Sequence, residues 1–214
     1  MADRLTREEK KAQTRARLME AAAAVFARRG LAAASLDEIA EEAGLTKGAI
    51  YSNFASKEDL VLAVLDEAGR ERIHDITADV DASRTVDEEA RRAGAQFMAS
   101  TQEELPLLLL ALELTAYSGR NPEFRDRQID RHRESLREIA DVMEASAPDF
   151  GIELPLPPRQ MAIVLNALGI GLSIEKLLDP EGVPDDLFAT AIMLMYGIRG
   201  REPDRQPSSG TAPS

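Results

Sequence analysis

Residues 36–54 read Leu-Asp-Glu-Ile-Ala-Glu-Glu-Ala-Gly-Leu-Thr-Lys-Gly-Ala-Ile-Tyr-Ser-Asn-Phe. If Leu36, Ile39, Ala43, Leu45, Ile50 and Phe54 point inward, the second half leaves Thr46, Lys47, Gly48, Tyr51, Ser52 and Asn53 outside. These residues can hydrogen-bond and carry weak positive charge, and the glycine lets another surface come close. Such a face suits the edges and walls of a nucleic-acid major groove. It contains no nucleophile paired with a base. Elsewhere the chemistry is sparse. The absence of cysteine excludes disulfides, thiolate nucleophiles and cysteine metal sites. Glu71 and His74 have a spacing used in di-iron bundles, but those need a second such copy. The other histidine, His132, has Ile129 at the corresponding position. No catalytic residue, metal or cofactor is therefore expected, and with no phosphate loop an enzyme has no support.

Helices must position that face. Two short helices that cross closely need a small residue at the contact, Ala40, and a turn residue free to adopt positive φ, Gly44. Thr6-Arg7-Glu8-Glu9 is a capping box opening the helix before them. Leu18, Ala21, Ala22, Val25 and Phe26 form its apolar face, and Gly30 ends it. Ser35-Leu36-Asp37-Glu38 is a second capping box, Thr46 caps the next helix, and Ser56 opens a longer one reaching about residue 80. Further helices are expected over 86–101, 103–118, 122–146, 157–178 and 185–198, with Asn121-Pro122 a clear start signal. No stretch alternates with period two. The fold class is all-α with about nine helices. An ordinary helical hairpin is the other reading of 36–54.

The chain carries a net charge of −12, which is unusual for a binder of polyanions. Residues 1–60 balance ten basic against ten acidic side chains, and residues 1–35 hold eight basic against four acidic. The excess acid therefore lies beyond residue 60, and a local basic face remains possible.

Residues 14–65 closely resemble the DNA-binding domain of the tetracycline-repressor (TetR) family. The resemblance rests on Ala21-Ala22, Val25-Phe26, Arg29-Gly30, Ile39-Ala40, Ala43-Gly44, the run Lys47-Gly-Ala-Ile-Tyr51, Phe54 and Ser56-Lys57-Glu58-Asp59-Leu60. It implies a helix-turn-helix domain over 1–56, a helical ligand-binding and dimerisation domain over 57–199, and double-stranded DNA as partner. It places Lys47, Gly48 and Tyr51 against base edges or groove walls, and Thr46, Tyr51, Ser52, Asn53 and Lys57 against phosphates. Ser35 is counted with these DNA-facing residues. Asn53 departs from the histidine that many members carry, although its amide can still donate to phosphate.

Residues 161–178 are apolar nearly all round, and 187–198 resemble them. A helix apolar on every face must be covered on every face. The second cover is either a twin subunit or the chain's own core; the resemblance implies a homodimer through about 157–178 and 185–198, with Gly169, Gly171 and Ser173 allowing close approach. Gln102, Glu113, Tyr117 and Asn166 are polar residues within apolar helices. They are candidate contacts for an unidentified small-molecule effector, or else are exposed or bonded internally. The most apolar run, 105–114, is about half the roughly 20 residues of a membrane span. With no apolar leader among the first residues, a cytoplasmic protein is expected. Residues 200–214 are expected to be a disordered tail. The leading functional reading is a ligand-responsive transcriptional regulator, most often a repressor in this family. The alternative is a helical interaction protein with a vestigial helix-turn-helix.

Overall fold

The computed structural model describes residues 6–78, 81 and 83–197, with the side chains of 101–103 outside that description. The expected tail at 200–214 lies outside the described residues. Among those described, nine α-helices and one 3₁₀ turn follow one another without a strand. They are α1 (Arg7–Ala33), α2 (Leu36–Glu42), α3 (Lys47–Tyr51), α4 (Lys57–Ala78), α5 (Val86–Glu103), α6 (Leu105–Arg120), α7 (Pro122–Ser146), α8 (Pro158–Leu178) and α9 (Leu187–Met195).

Local signals explain most of the boundaries. The Thr6 hydroxyl accepts from the Glu9 amide while the Glu9 carboxylate accepts from the Thr6 amide, so both bonds of the capping box form. Thr85 and Glu88 repeat this at α5. Asn121 caps α7 through the Phe124 amide, with Pro122 in the first helical position. At α2 the box is only half made. Ser35 accepts from the Glu38 amide, but the Glu38 side chain turns to Arg29. Gly30 does not end α1 outright: at φ 71° it kinks the chain, and another turn runs on to Ala33.

One core ties the first helices to the later ones. Leu18, Ala22, Val25 and Phe26 of α1 pack with Ile39, Ile50, Phe54 and the start of α4. The same cluster continues into Leu110 and Leu114 of α6 and Phe124 of α7. There is thus no apolar gap at the expected boundary between residues 56 and 57, and α6 packs directly against the helices of the helix-turn-helix unit.

Helices α5 and α9 approach so closely that a Cβ on Gly94 would lie 2.6 Å from the Ala189 Cβ. Gly169, expected to ease contact between subunits, instead faces Phe97 of its own chain, where a Cβ would lie 2.8 Å from the ring. Ser173 is likewise buried in its own chain. Gly171 has open space beside it. Helix α8, not the run at 105–114, has the length and apolar composition of a membrane span, alone among the described helices. In the fold it packs on α7 and α9, and part of its apolar surface stays uncovered.

Candidate nucleic-acid interface and interior cavity

The helix-turn-helix is built as its residue types require. Ala40 is 5% exposed at the crossing of α2 and α3, and its carbonyl accepts from the Leu45 amide at 2.8 Å. Gly44 makes the turn at φ 62°. Two arginines of α1 brace the unit. Arg17 donates to the Ala43 carbonyl at 2.7 Å, satisfying the end of α2. Arg15 donates to the Asn53 carbonyl at 3.2 Å and stacks on the Phe54 ring at 4.3 Å.

On this frame Lys47, Gly48, Tyr51 and Ser52 are all exposed, and Tyr51 is 56% exposed although its ring is apolar. Thr46 caps α3 through the Ala49 amide and keeps its side exposed. Lys47 reaches the Asp37 carboxylate at 2.8 Å, which raises the pKa of its ammonium. Ser52 donates to the Ala49 carbonyl at 2.9 Å. Asn53 donates to that carbonyl at 2.8 Å, and its buried Oδ1 has no partner. Asn53 is therefore half-buried at the end of α3, with its amide already committed inward.

Lys57 is engaged within the fold. Its ammonium donates to the Leu31 carbonyl at 2.8 Å and the Ala34 carbonyl at 3.1 Å. Two of its three N–H groups thus close the end of α1. The basic excess of residues 1–35 is similarly committed. Arg15 and Arg17 are used on carbonyls, and Arg28 and Arg29 pair with Glu42 and Glu38. Arg7, Lys10 and Lys11 are exposed cations without a partner among the described residues. Arg7 and Lys11 fall on the same α1 stripe as Arg15, which touches the end of α3. Charge counting points at these residues collectively; the carbonyl contacts and ion pairs together show which ones remain available.

The four effector candidates separate. Asn166 lines a cavity of about 350 Å³ bounded by α4 to α9. Glu113 does not reach it: its carboxylate accepts from the Leu31 amide at 2.6 Å, beside the kink at Gly30. Tyr117 serves the corner between α6 and α7. Its hydroxyl accepts from Asn121 at 3.0 Å and its ring meets Phe124 edge-on at 5.1 Å. The side chain of Gln102 lies outside those described.

The cavity walls are mainly apolar, including Leu65, Ile73, Leu107, Leu108, Met143 and Leu165. One wall is a stack: Phe188 lies on Phe97 at 4.2 Å between ring centres, and the Arg72 guanidinium sits over Phe97 at 5.6 Å. Arg72 donates to Glu104 through Nε at 2.8 Å and through a second nitrogen. No spacing in the sequence links Arg72 with Glu104, because one lies on α4 and the other at the junction of α5 and α6. Glu71 and His74 are both exposed, and no group of metal-ligating residues occurs among the described ones.

Known proteins agree with this architecture. Residues 18–64 match the family of bacterial regulatory proteins of the tetR type, and residues 86–194, over half the chain, match the C-terminal domain of BetI-type transcriptional repressors. The chain belongs to the TetR family. The regulator TtgR of Pseudomonas putida is 51% identical over 63 residues, which are 29% of this TetR-family chain and 30% of TtgR. That match covers less than a third of the relative and concerns the DNA-binding region. The nicotine-responsive repressor HdnoR of Paenarthrobacter nicotinovorans is 28% identical over 167 residues, 78% of this chain and 85% of HdnoR. A TetR-family regulator structure from Rhodococcus sp. superposes with a TM-score of 0.71 at 21% identity, covering 86% of this chain and 99% of the other, a likeness of fold.

Proposed function

We propose that this TetR-family chain is a ligand-responsive DNA-binding transcriptional regulator, acting as a repressor at an inverted-repeat operator. The observation that carries the reading is the outer face of α3. Thr46, Lys47, Gly48, Tyr51 and Ser52 stand exposed together, and a braced core holds them in place. An exposed tyrosine with no structural task has its use against a partner. Relatives named as repressors, HdnoR and KstR2, support the sign of regulation.

The uncovered surfaces of α8 and α9 support a homodimer. Ile163, Ala167, Ile170, Gly171 and Leu178 are exposed along one stripe of α8, with Ile174 half-buried between them, and Leu194 of α9 is 70% exposed. A second copy covers such a stripe with the same stripe. Leu168 of α8 lies off that stripe and packs against the Phe97–Phe188 cluster of its own chain. A dimer would carry two α3 faces roughly 34 Å apart, one turn of DNA.

The effector acts through the cavity. Leu107, Leu108 and Ala111 of α6 line it, and Glu113 on the same helix holds the Leu31 amide, four residues before the cap of α2. A ligand that displaces α6 thereby shifts the helix-turn-helix, with leverage limited to its difference in affinity for the two states. The test is a gel shift on DNA from upstream of the chain's own gene across a salt series. Binding that weakens steeply with salt and survives competitor DNA supports the reading. Retention equal to that of random DNA at every salt concentration refutes it and favours a helical interaction protein.

A further inference from the structure

On the proposal above that an effector occupies the cavity, the lining residues define its chemistry. Arg72 and Glu104 are the charged side chains among its described lining residues, and they neutralise each other through two hydrogen bonds to one carboxylate oxygen. The guanidinium is further held over Phe97. An anionic ligand would have to displace Glu104 from Arg72, and a cationic one would have to displace Arg72 from Glu104. Either exchange leaves a half-buried partner charge uncompensated. The lining thus offers no net charge to pair with.

What it offers is Asn166. Its side chain is half-buried on the α8 wall and makes no hydrogen bond to any described residue. By contrast Thr77, also on the wall, uses its hydroxyl on the Ile73 and His74 carbonyls of its own helix. An amide carries donors and an acceptor together, so it matches a headgroup that has both. We propose that the cavity takes an uncharged, mainly apolar molecule with one donor–acceptor headgroup, such as a primary amide, read by Asn166. About 350 Å³ admits a compact molecule of that kind.

Calorimetric titration of the full chain with octanamide, octanoate and octylammonium tests this, since the three probes share one tail and differ in head charge. Octanamide should bind about tenfold more tightly than either ion, the cost of a broken or unmatched polar contact. Asn166→Leu should weaken octanamide binding and so shrink that preference while octanoate binding stays as weak as before, a selective loss that a merely structural role for Asn166 would not give. Asn166→Asp, nearly isosteric, should turn the preference toward octylammonium and guards against misfolding of the leucine variant. Tightest binding of either ion by the wild type, or no binding of any probe, overturns the proposal. Gel shifts on the same samples separate the failures: operator binding that persists while the probe preference fails sinks the ligand class alone, and loss of operator binding by the wild type sinks the regulator reading.

Discussion

Tyr51 stands exposed on the outer face of α3, whereas the Lys57 ammonium is held by the chain's own carbonyls. Tyr51 is exposed and makes no hydrogen bond to a described residue, so its removal should leave the fold intact. Tyr51→Ala should weaken operator binding by about 1–3 kcal/mol with an unchanged melting temperature, measured by anisotropy titration and thermal denaturation. A large drop in melting temperature would place the ring in the core. Lys57 instead closes the carbonyls of Leu31 and Ala34. Lys57→Ala should destabilise the chain by about 1–3 kcal/mol in a denaturant titration, because two part-buried acceptors lose their donor. The salt slope of DNA binding should stay the same; a fall of about one would show that the ammonium meets a phosphate as well. Lys47 is a third case. Asp37 holds its ammonium in the free chain, so Asp37→Asn should free it and strengthen binding severalfold at low salt, an advantage that disappears at high salt.

Among the elements, α6 links cavity and helix-turn-helix. Glu113 was legible as a polar residue out of place in an apolar helix, but not as a cap for an amide 82 residues away. Glu113→Ala should leave the Leu31 amide without its acceptor, at a cost of about 1–3 kcal/mol. Hydrogen exchange should quicken at Leu31 and hardly at all at the start of α1. Uniformly faster exchange would mean that Glu113 supports global stability and not this junction. The same contrast explains what the sequence disclosed. Caps and turns act over three or four residues, so Thr6, Ser35, Thr46 and Asn121 mark their helices in the sequence. The outward face of α3 follows from helical periodicity alone. Arg15, Arg17, Lys57, Glu113 and the Arg72–Glu104 pair act between elements, and nothing local distinguishes a lysine aimed at a carbonyl from one aimed at a phosphate. The role of Gly169 was misassigned for the same reason: a small residue on a helix announces a close approach but not which surface approaches.

The single chain carries an uncovered apolar stripe on α8 and α9, a cavity bounded by α4 to α9, and an outward polar face on α3. The stripe carries its own prediction. Ile163 and Leu194 are 48% and 70% exposed in the single chain, so a charge at either position leaves that chain's core undisturbed. Ile163→Glu and Leu194→Glu should each turn a dimer into a folded monomer by light scattering, because a buried interface would have to desolvate two unpaired carboxylates. A dimer unchanged by both would place the interface elsewhere. Sequence-specific DNA recognition by α3 is tested by sequencing the genomic fragments that the purified wild type and Tyr51→Ala retain. The wild type should enrich a small set of fragments sharing an inverted repeat, and the variant should lose the enrichment while remaining folded. Retention of random fragments by the wild type, or the same enriched set for both proteins, would contradict it.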